Sequence, residues 1–323
     1  MPRFDVVSLG ELLIDFTQNG PGPQGNPQFE ANPGGAPANV LAMLRKLGRS
    51  CAFIGKVGRD SFGTLLADTL QNAGIDTSCL IRGHEPTTLA VVHTLPGGDR
   101  DFSFYRRHTA DVSLTPDEVD GALVQSCRIF HFGTLSLTDE PCRSATQKAV
   151  ECAKNAGITV SFDPNWRPPL WKSDEDARQQ MLWGLGQCDI LKISDNEVTF
   201  LTGEEDPFAG GETLLRQFPQ IRLMNVTCGA DGSRAYYGEK RVFMPSCRLG
   251  GVIETTGAGD TFCGVVLHFV LEHGLENLTE NDLAEMLRFA NAAAYLVTTK
   301  KGALCSMPER SEVEKVLENP AAF

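Results

Sequence analysis

Short apolar runs alternating with helical patterns constrain this chain more than any other feature. Residues 6–9, 52–54, 129–132, 159–162, 190–193 and 223–227 are brief, mostly apolar and rich in β-branched or aromatic side chains, the mark of buried strands. Helical spacing lies between them. The pattern over 38–47 stops at Gly48 and that over 61–73 at Gly74. The pattern over 142–155 stops just before Gly157, and that over 283–297 is followed by Gly302. Glycine suits the left-handed residue that closes a helix. Buried strands joined by helices imply an α/β fold, a mainly parallel sheet covered on both faces. No repeat, low-complexity tract or linker divides the 323 residues, so a single domain over 1–323 is expected.

Two regions break the alternation. Residues 17–33 are rich in Gly, Pro, Asn and Gln, too polar for a core. Residues 88–95 and 101–105 read as two strands joined across Pro96-Gly97-Gly98-Asp99, with Leu89, Val91, Phe102 and Phe104 on the apolar side. A small β lid formed by about 14–33 and 86–107 accounts for both regions; an ordinary surface hairpin accounts equally well for the second. A further hairpin, 233–237 and 241–244 around Gly238-Glu239, reads as an antiparallel edge of the main sheet.

Composition enters as exclusion. A formal net charge of −12 argues against nucleic-acid binding, which needs a basic face. No apolar run approaches membrane-spanning length. The ten cysteines include no C-x-x-C pair and no histidine at zinc-ligand spacing. The chain enters a strand pattern at once, without a basic-then-apolar leader, and a cytoplasmic location is expected.

The chemistry concentrates at Thr256-Gly257-Ala258-Gly259-Asp260-Thr261-Phe262. Nearly bulk-free residues lead into an apolar helical run (Phe262, Val265, Val266, Phe269, Val270). The unpaired N–H groups of a helix start attract anions, and glycines let a phosphoryl group approach the backbone. Asp260 then stands where a carboxylate takes a proton from an attacking hydroxyl. By itself the stretch fits a capped turn better than a catalytic site. Neither G-x-x-x-x-G-K-[ST] nor G-x-G-x-x-G after the first strand is present, so no P-loop or dinucleotide fold is supported.

The same stretch resembles the C-terminal signature of the ribokinase-like (PfkB) carbohydrate kinases. Gly34-Gly35-Ala36-Pro37-Ala38-Asn39-Val40, continuing through Gly48 to Gly55-Lys56-Val57-Gly58-Arg59-Asp60-Ser61-Phe62-Gly63, resembles their N-terminal signature. Within the family, Gly10-Glu11-Leu12-Leu13-Ile14-Asp15-Phe16 and Asp163-Pro164-Asn165-Trp166-Arg167 look most like fructokinases. The resemblance implies a ribokinase-like three-layer α/β/α sandwich with a small β-sheet lid. It implies transfer of the γ-phosphoryl of ATP to the 6-hydroxyl of D-fructose with Mg²⁺. Alternatives are another acceptor (2-keto-3-deoxygluconate, ribose or a nucleoside) or a non-catalytic sugar-binding regulator on the same fold.

Roles follow from the matched positions. Asp260 is the expected general base, with the N–H groups of Gly257, Ala258 and Gly259 as the anion hole. Asp15, Asn39 and the Gly34-Gly35 backbone form the expected sugar floor. Arg106 and Arg167 each either reach a sugar hydroxyl or the migrating phosphate, or form a surface ion pair; the family pattern favours Arg167. Glu197 matches the family's Asn-x-x-Glu carboxylate, which organises Mg²⁺ through water, although Ser194 replaces the Asn. Thr227, Gly229 and Gly232 resemble the nucleotide loop, and Asn291 matches the adenine pocket loosely. Many relatives bind a monovalent cation such as K⁺ beside the anion hole, often with Asp where this chain has Glu254; the extra methylene argues against potassium activation. A homodimer is expected because relatives often pair through their lids.

Overall fold

The computed structural model describes residues 2–94 and 100–323. Among them, nine strands form one sheet: β1 (Phe4–Leu9), β4 (Cys51–Gly58), β5 (Asp76–Gly83), β8 (Cys127–Gly133), β9 (Thr159–Asp163), β10 (Ile190–Ser194), β11 (Leu223–Thr227), β12 (Ser233–Tyr237) and β13 (Lys240–Met244). The order is β13-β12-β11-β10-β9-β8-β1-β4-β5, parallel except for the terminal hairpin β12–β13. Every strand expected in the main sheet falls within an observed one, and the edge hairpin lies where the sequence places it.

Double coverage explains why these strands read as apolar runs. In β1, Val6 packs into the core on one side of the sheet and Val7 into the core on the other. The first core collects Leu41, Phe53, Val266 and Leu287; the second collects Phe130, Phe132, Phe162 and Leu191. Strand β5 goes unnoticed in the sequence because its DTSCLIRG is half polar. It needs little apolar surface, being an edge strand that among the described residues pairs only with β4.

A second sheet holds β2 (Leu13–Pro21), β3 (Pro27–Gly34), β6 (Leu89–Thr94) and β7 (Arg100–Tyr105) in the order β3-β2-β6-β7. The polar segment 17–33 is thus largely strand, its β2 parallel to β6. Leu95 and the Pro96–Asp99 turn lie outside the described residues, and Phe102 is described by its backbone alone. The apolar phase of β6 differs from expectation. Ala90 and Val92 are buried, whereas Leu89 and Val91 are half-buried. Register gives the reason. Asp15, Ala90 and Phe104 form one cross-strand row, and Phe16, Val91 and Ser103 the next. The first row faces the main cavity, which Asp15 and Phe104 line. On the other face, Phe16 packs edge-on against Phe62, ring centroids 5.6 Å apart. The small Ala90 leaves room between a carboxylate and a ring.

Candidate active site

The main cavity, about 580 Å³, lies at the carboxyl ends of the parallel strands. There β1 and β8 run side by side while the chain leaves them in opposite directions, to β4 and to β9. Helices diverging from such a switch point leave a crevice between the strand ends.

Asp260 sits at its floor, in the first turn of the buried helix Ala258–His273. Asn39 Nδ2 donates to Asp260 Oδ2 at 2.8 Å, and Asn165 Nδ2 donates to Oδ1 at 3.1 Å. Asn39 comes from the helix Ala36–Lys46, and Asn165 follows β9, held at φ 47° with its N–H donating to Asp163 Oδ1 at 3.2 Å. Burial pushes the Asp260 carboxyl up to about 6 and the Asp163 charge adds to this, against the Asn39 hydrogen bond and the Lys192 and Arg167 cations. A carboxylate near 6 is ionised at neutral pH yet basic enough to accept a proton.

Gly257 caps the helix at φ 80°, where a side chain would be strained and a Cβ would meet Ala303 at 2.8 Å. The helical ladder begins with Thr261 N–H donating to Gly257 O at 2.8 Å. Gly257 and Gly259 line the cavity. Ala258 differs from the expectation: it is not among the lining residues, and its N–H donates to Thr255 O at 3.3 Å.

The residues expected to form the sugar floor converge. Asp15 and Asn39 line the cavity with Gly35, and Asp15 Oδ2 lies where a Cβ on Gly34 would come within 2.5 Å. Gly35 adopts φ 131° against the Glu11 carbonyl. Glu11 is itself buried in the cavity wall, and its Oε1 accepts the Ala36 N–H at 2.7 Å. Burial raises its carboxyl to about 7.

Of the two arginines, only Arg167 lines the cavity. Arg106 is placed differently. Its Nε donates to Asp111 Oδ2 at 2.7 Å, Nη1 to Thr138 Oγ1 at 2.8 Å and Nη2 to the Leu135 carbonyl at 2.7 Å. The guanidinium is buried and bonded to the framework rather than paired on the surface.

Glu197 is buried at the cavity edge. Its oxygens accept the backbone N–H groups of Trp166 and Ser194, each at 2.8 Å, tying the loop after β9 to the end of β10. Glu254 Oε1 accepts the Gly302 N–H at 2.9 Å. No group of three or more His, Cys, Asp or Glu among the described residues is arranged to hold a metal ion.

Thr227, Gly229 and Gly232 lie at the end of β11 and its following turn, outside the main cavity. Cys228 and Asp231 of that loop line a second cavity of about 420 Å³, and Asn196 lines both. Asn291 lies beside the edge hairpin. Its Oδ1 accepts from Ser233 Oγ at 2.9 Å, and its Nδ2 donates to Met244 O at 3.2 Å and Pro245 O at 2.9 Å. The amide braces the β12–β13 hairpin.

Sequence reasoning assigned no role to Glu11 or Lys192, both in the cavity wall. Lys192 carried a signal: a lysine within the apolar run of β10 needs a buried carboxylate partner.

Comparison with known proteins agrees with this geometry. Residues 3–310 match the family model for "pfkB family carbohydrate kinase". A probable fructokinase-7 of Arabidopsis thaliana is 42% identical over 324 residues, covering 97% of this chain and 92% of the relative. A fructokinase of Xylella fastidiosa solved with bound ATP superposes with a TM-score of 0.86 at 32% identity, covering 96% of this chain and 97% of that one. A double-mutant fructokinase of Vibrio cholerae O395, solved with fructose, ADP and potassium ion, gives 0.87 at 29% identity, covering 98% and 100%. With a family match across nearly the whole chain and a binding crevice built from both signature motifs, this chain belongs to the pfkB family of carbohydrate kinases.

Proposed function

We propose that the chain is an ATP-dependent fructokinase with Asp260 as general base. One observation carries the assignment of the base: two amides, Asn39 and Asn165, fix both oxygens of a buried carboxyl in the first turn of a helix that opens on glycines. Asp260 takes the proton of the fructose 6-hydroxyl as that oxygen bonds to the γ-phosphorus of ATP. The bond from phosphorus to the bridging oxygen breaks, ADP leaves, and the proton passes from Asp260 to solvent. The Gly257 and Gly259 backbone stabilises the charge on the moving phosphoryl group, and Arg167 adds a cation on the open side. Asp15, Asn39 and the Gly34-Gly35 backbone orient the sugar.

The nucleotide extends from this cavity past Asn196 toward Thr227, Gly229 and Gly232, a path supported by the two adjoining cavities. A Mg²⁺ ion would be carried largely by phosphates and water, with Glu197 in the cavity wall acting through water, because hard cations of this kind keep several water ligands. When bound, Mg²⁺ supplies charge neutralisation between the phosphates. The Glu254 carboxylate, already bonded to Gly302, supports turnover without potassium. Commitment of Arg106 to Asp111 favours a neutral sugar over an acid one, which would want another cation. Exposed Tyr105 on edge strand β7 and Phe29 on edge strand β3 support pairing of two copies through the small sheet.

The test is ADP release from Mg·ATP without sugar and with fructose, ribose, glucose or 2-keto-3-deoxygluconate, beside Asp260→Asn. Fructose-dependent release abolished by that substitution is expected. Silence with every sugar from folded protein would point instead to a binding protein.

A further inference from the structure

Lys192 is a charged residue inside a buried strand, and the mechanism above leaves it without a task. Its side chain is 7% exposed, and Nζ lies 3.2 Å from Asp163 Oδ2 and 3.3 Å from Oδ1. Asp163 is its only hydrogen-bond partner among the described residues. A Cβ placed on Gly259 would come within 3.0 Å of the same Nζ, so the ammonium lies against the turn that opens the Asp260 helix. Lys192 and Gly259 both line the cavity. Stability alone is a weak reason for this pair, since apolar residues of similar volume often serve a core as well as a buried ion pair does.

We propose that Lys192 is a positioning residue for phosphoryl transfer: its ammonium, fixed by Asp163 beside Gly259, holds positive charge against the Asp260 carboxylate and the turn that receives the phosphoryl group. The inference rests on Asp260 being the base, and it assigns Lys192 the task of keeping that base ionised. The charged groups acting on Asp260 are Asp163 from β9, Arg167 from the loop after it and Lys192 from β10. Asn39 and Asn165 are neutral donors. Burial raises the Cys263 thiol on the same helix well above its ordinary value. On β8, burial and the Lys192 charge lower His131 to about 3, so it is neutral. Glu197 also faces Lys192, with both oxygens bonded to backbone.

Asp163 and Lys192 act on Asp260 in opposite senses, the carboxylate opposing its ionisation and the ammonium favouring it. Opposite senses make the proposal testable. The acid limb of kcat/KM for fructose is measured for wild type, Lys192→Met, Lys192→Arg, Asp163→Asn and the Met/Asn double variant, with folding checked by circular dichroism. The limb is expected to rise by roughly one pH unit in Lys192→Met and to fall in Asp163→Asn. It should hold in Lys192→Arg and return toward wild type in the double variant. Lys192→Gln replaces the Met variant where that one does not fold. A merely structural pair would lower thermal stability in both single variants and leave both limbs in place, and that result overturns the proposal, as do shifts of the same sign. Full fructose turnover by Asp260→Asn would instead remove the base assignment itself.

Discussion

Asn39 and Asp260 are 221 positions apart in sequence, yet Asn39 Nδ2 donates to Asp260 Oδ2 at 2.8 Å. The bond joins the two signature motifs into one device. It orients the Asp260 carboxylate and lowers its proton affinity, while burial raises it.

The balance between those effects sets a trade of stability for activity. The Asp260 carboxyl titrates near 6 in the folded chain against an ordinary 3.8. Between those values the native state holds more protons than the unfolded one, so this residue's contribution falls as pH rises through the window and its cost is full above 6. Asp260→Asn removes the cost. At pH 7 the variant is expected to melt higher, by up to about 3 kcal/mol of stability, while kcat falls about 10²- to 10⁴-fold. Thermal melts at pH 5 and pH 7 beside a fructose assay check both; equal gains at the two pH values would contradict the sign.

Gly257 tests the anion turn. Its φ of 80° and the Ala303 contact leave no place for a Cβ. Gly257→Ala is expected to cost about 1–2 kcal/mol in stability from the left-handed backbone alone. The turn's N–H groups move with it, so kcat falls more than KM for fructose rises. Steady-state kinetics on the folded variant would show the opposite split if the turn served only sugar binding.

The two arginines predict contrasting phenotypes. Arg106 pairs with Asp111 at 2.7 Å where both side chains are almost wholly buried. Arg106→Met leaves that carboxylate uncompensated and should destabilise by about 3–5 kcal/mol. Arg167 is half-buried at the cavity. Arg167→Met should leave the melting temperature nearly unchanged and lower kcat by roughly 10-fold or more. Urea titration beside the fructose assay separates them, and a stable but inactive Arg106→Met would return that residue to the sugar site.

The small sheet should respond to sugar. The Asp15–Ala90–Phe104 row faces the cavity from β2, β6 and β7. Fructose bridging Asp15 and the main-sheet floor is expected to slow amide exchange in β6 and β7 several-fold, closing the site against water. Unchanged exchange at saturating fructose would remove the lid role.

Much of the architecture was legible because its causes are local. A strand buried on both faces must be apolar at successive positions, and Val6 and Val7 satisfy opposite cores. The bulk-free turn before Asp260 announces a backbone that must come close to something. Strand β5 was not legible, since an edge strand needs few apolar residues, and the phase of β6 was misread because its small buried residue, Ala90, carries little hydrophobic signal.

The sequence by itself determined the layered α/β order, the glycine turn and the carboxylate placed on it, all of which follow from side-chain volume and backbone freedom within a few residues. Tertiary structure alone decided which polar groups meet. Arg106 found Asp111 and Thr138, Asn291 found Ser233, and Lys192 found Asp163. A buried polar group must be paired, but its type does not name its partner. Distance and desolvation choose that partner only once the strands have brought their ends together.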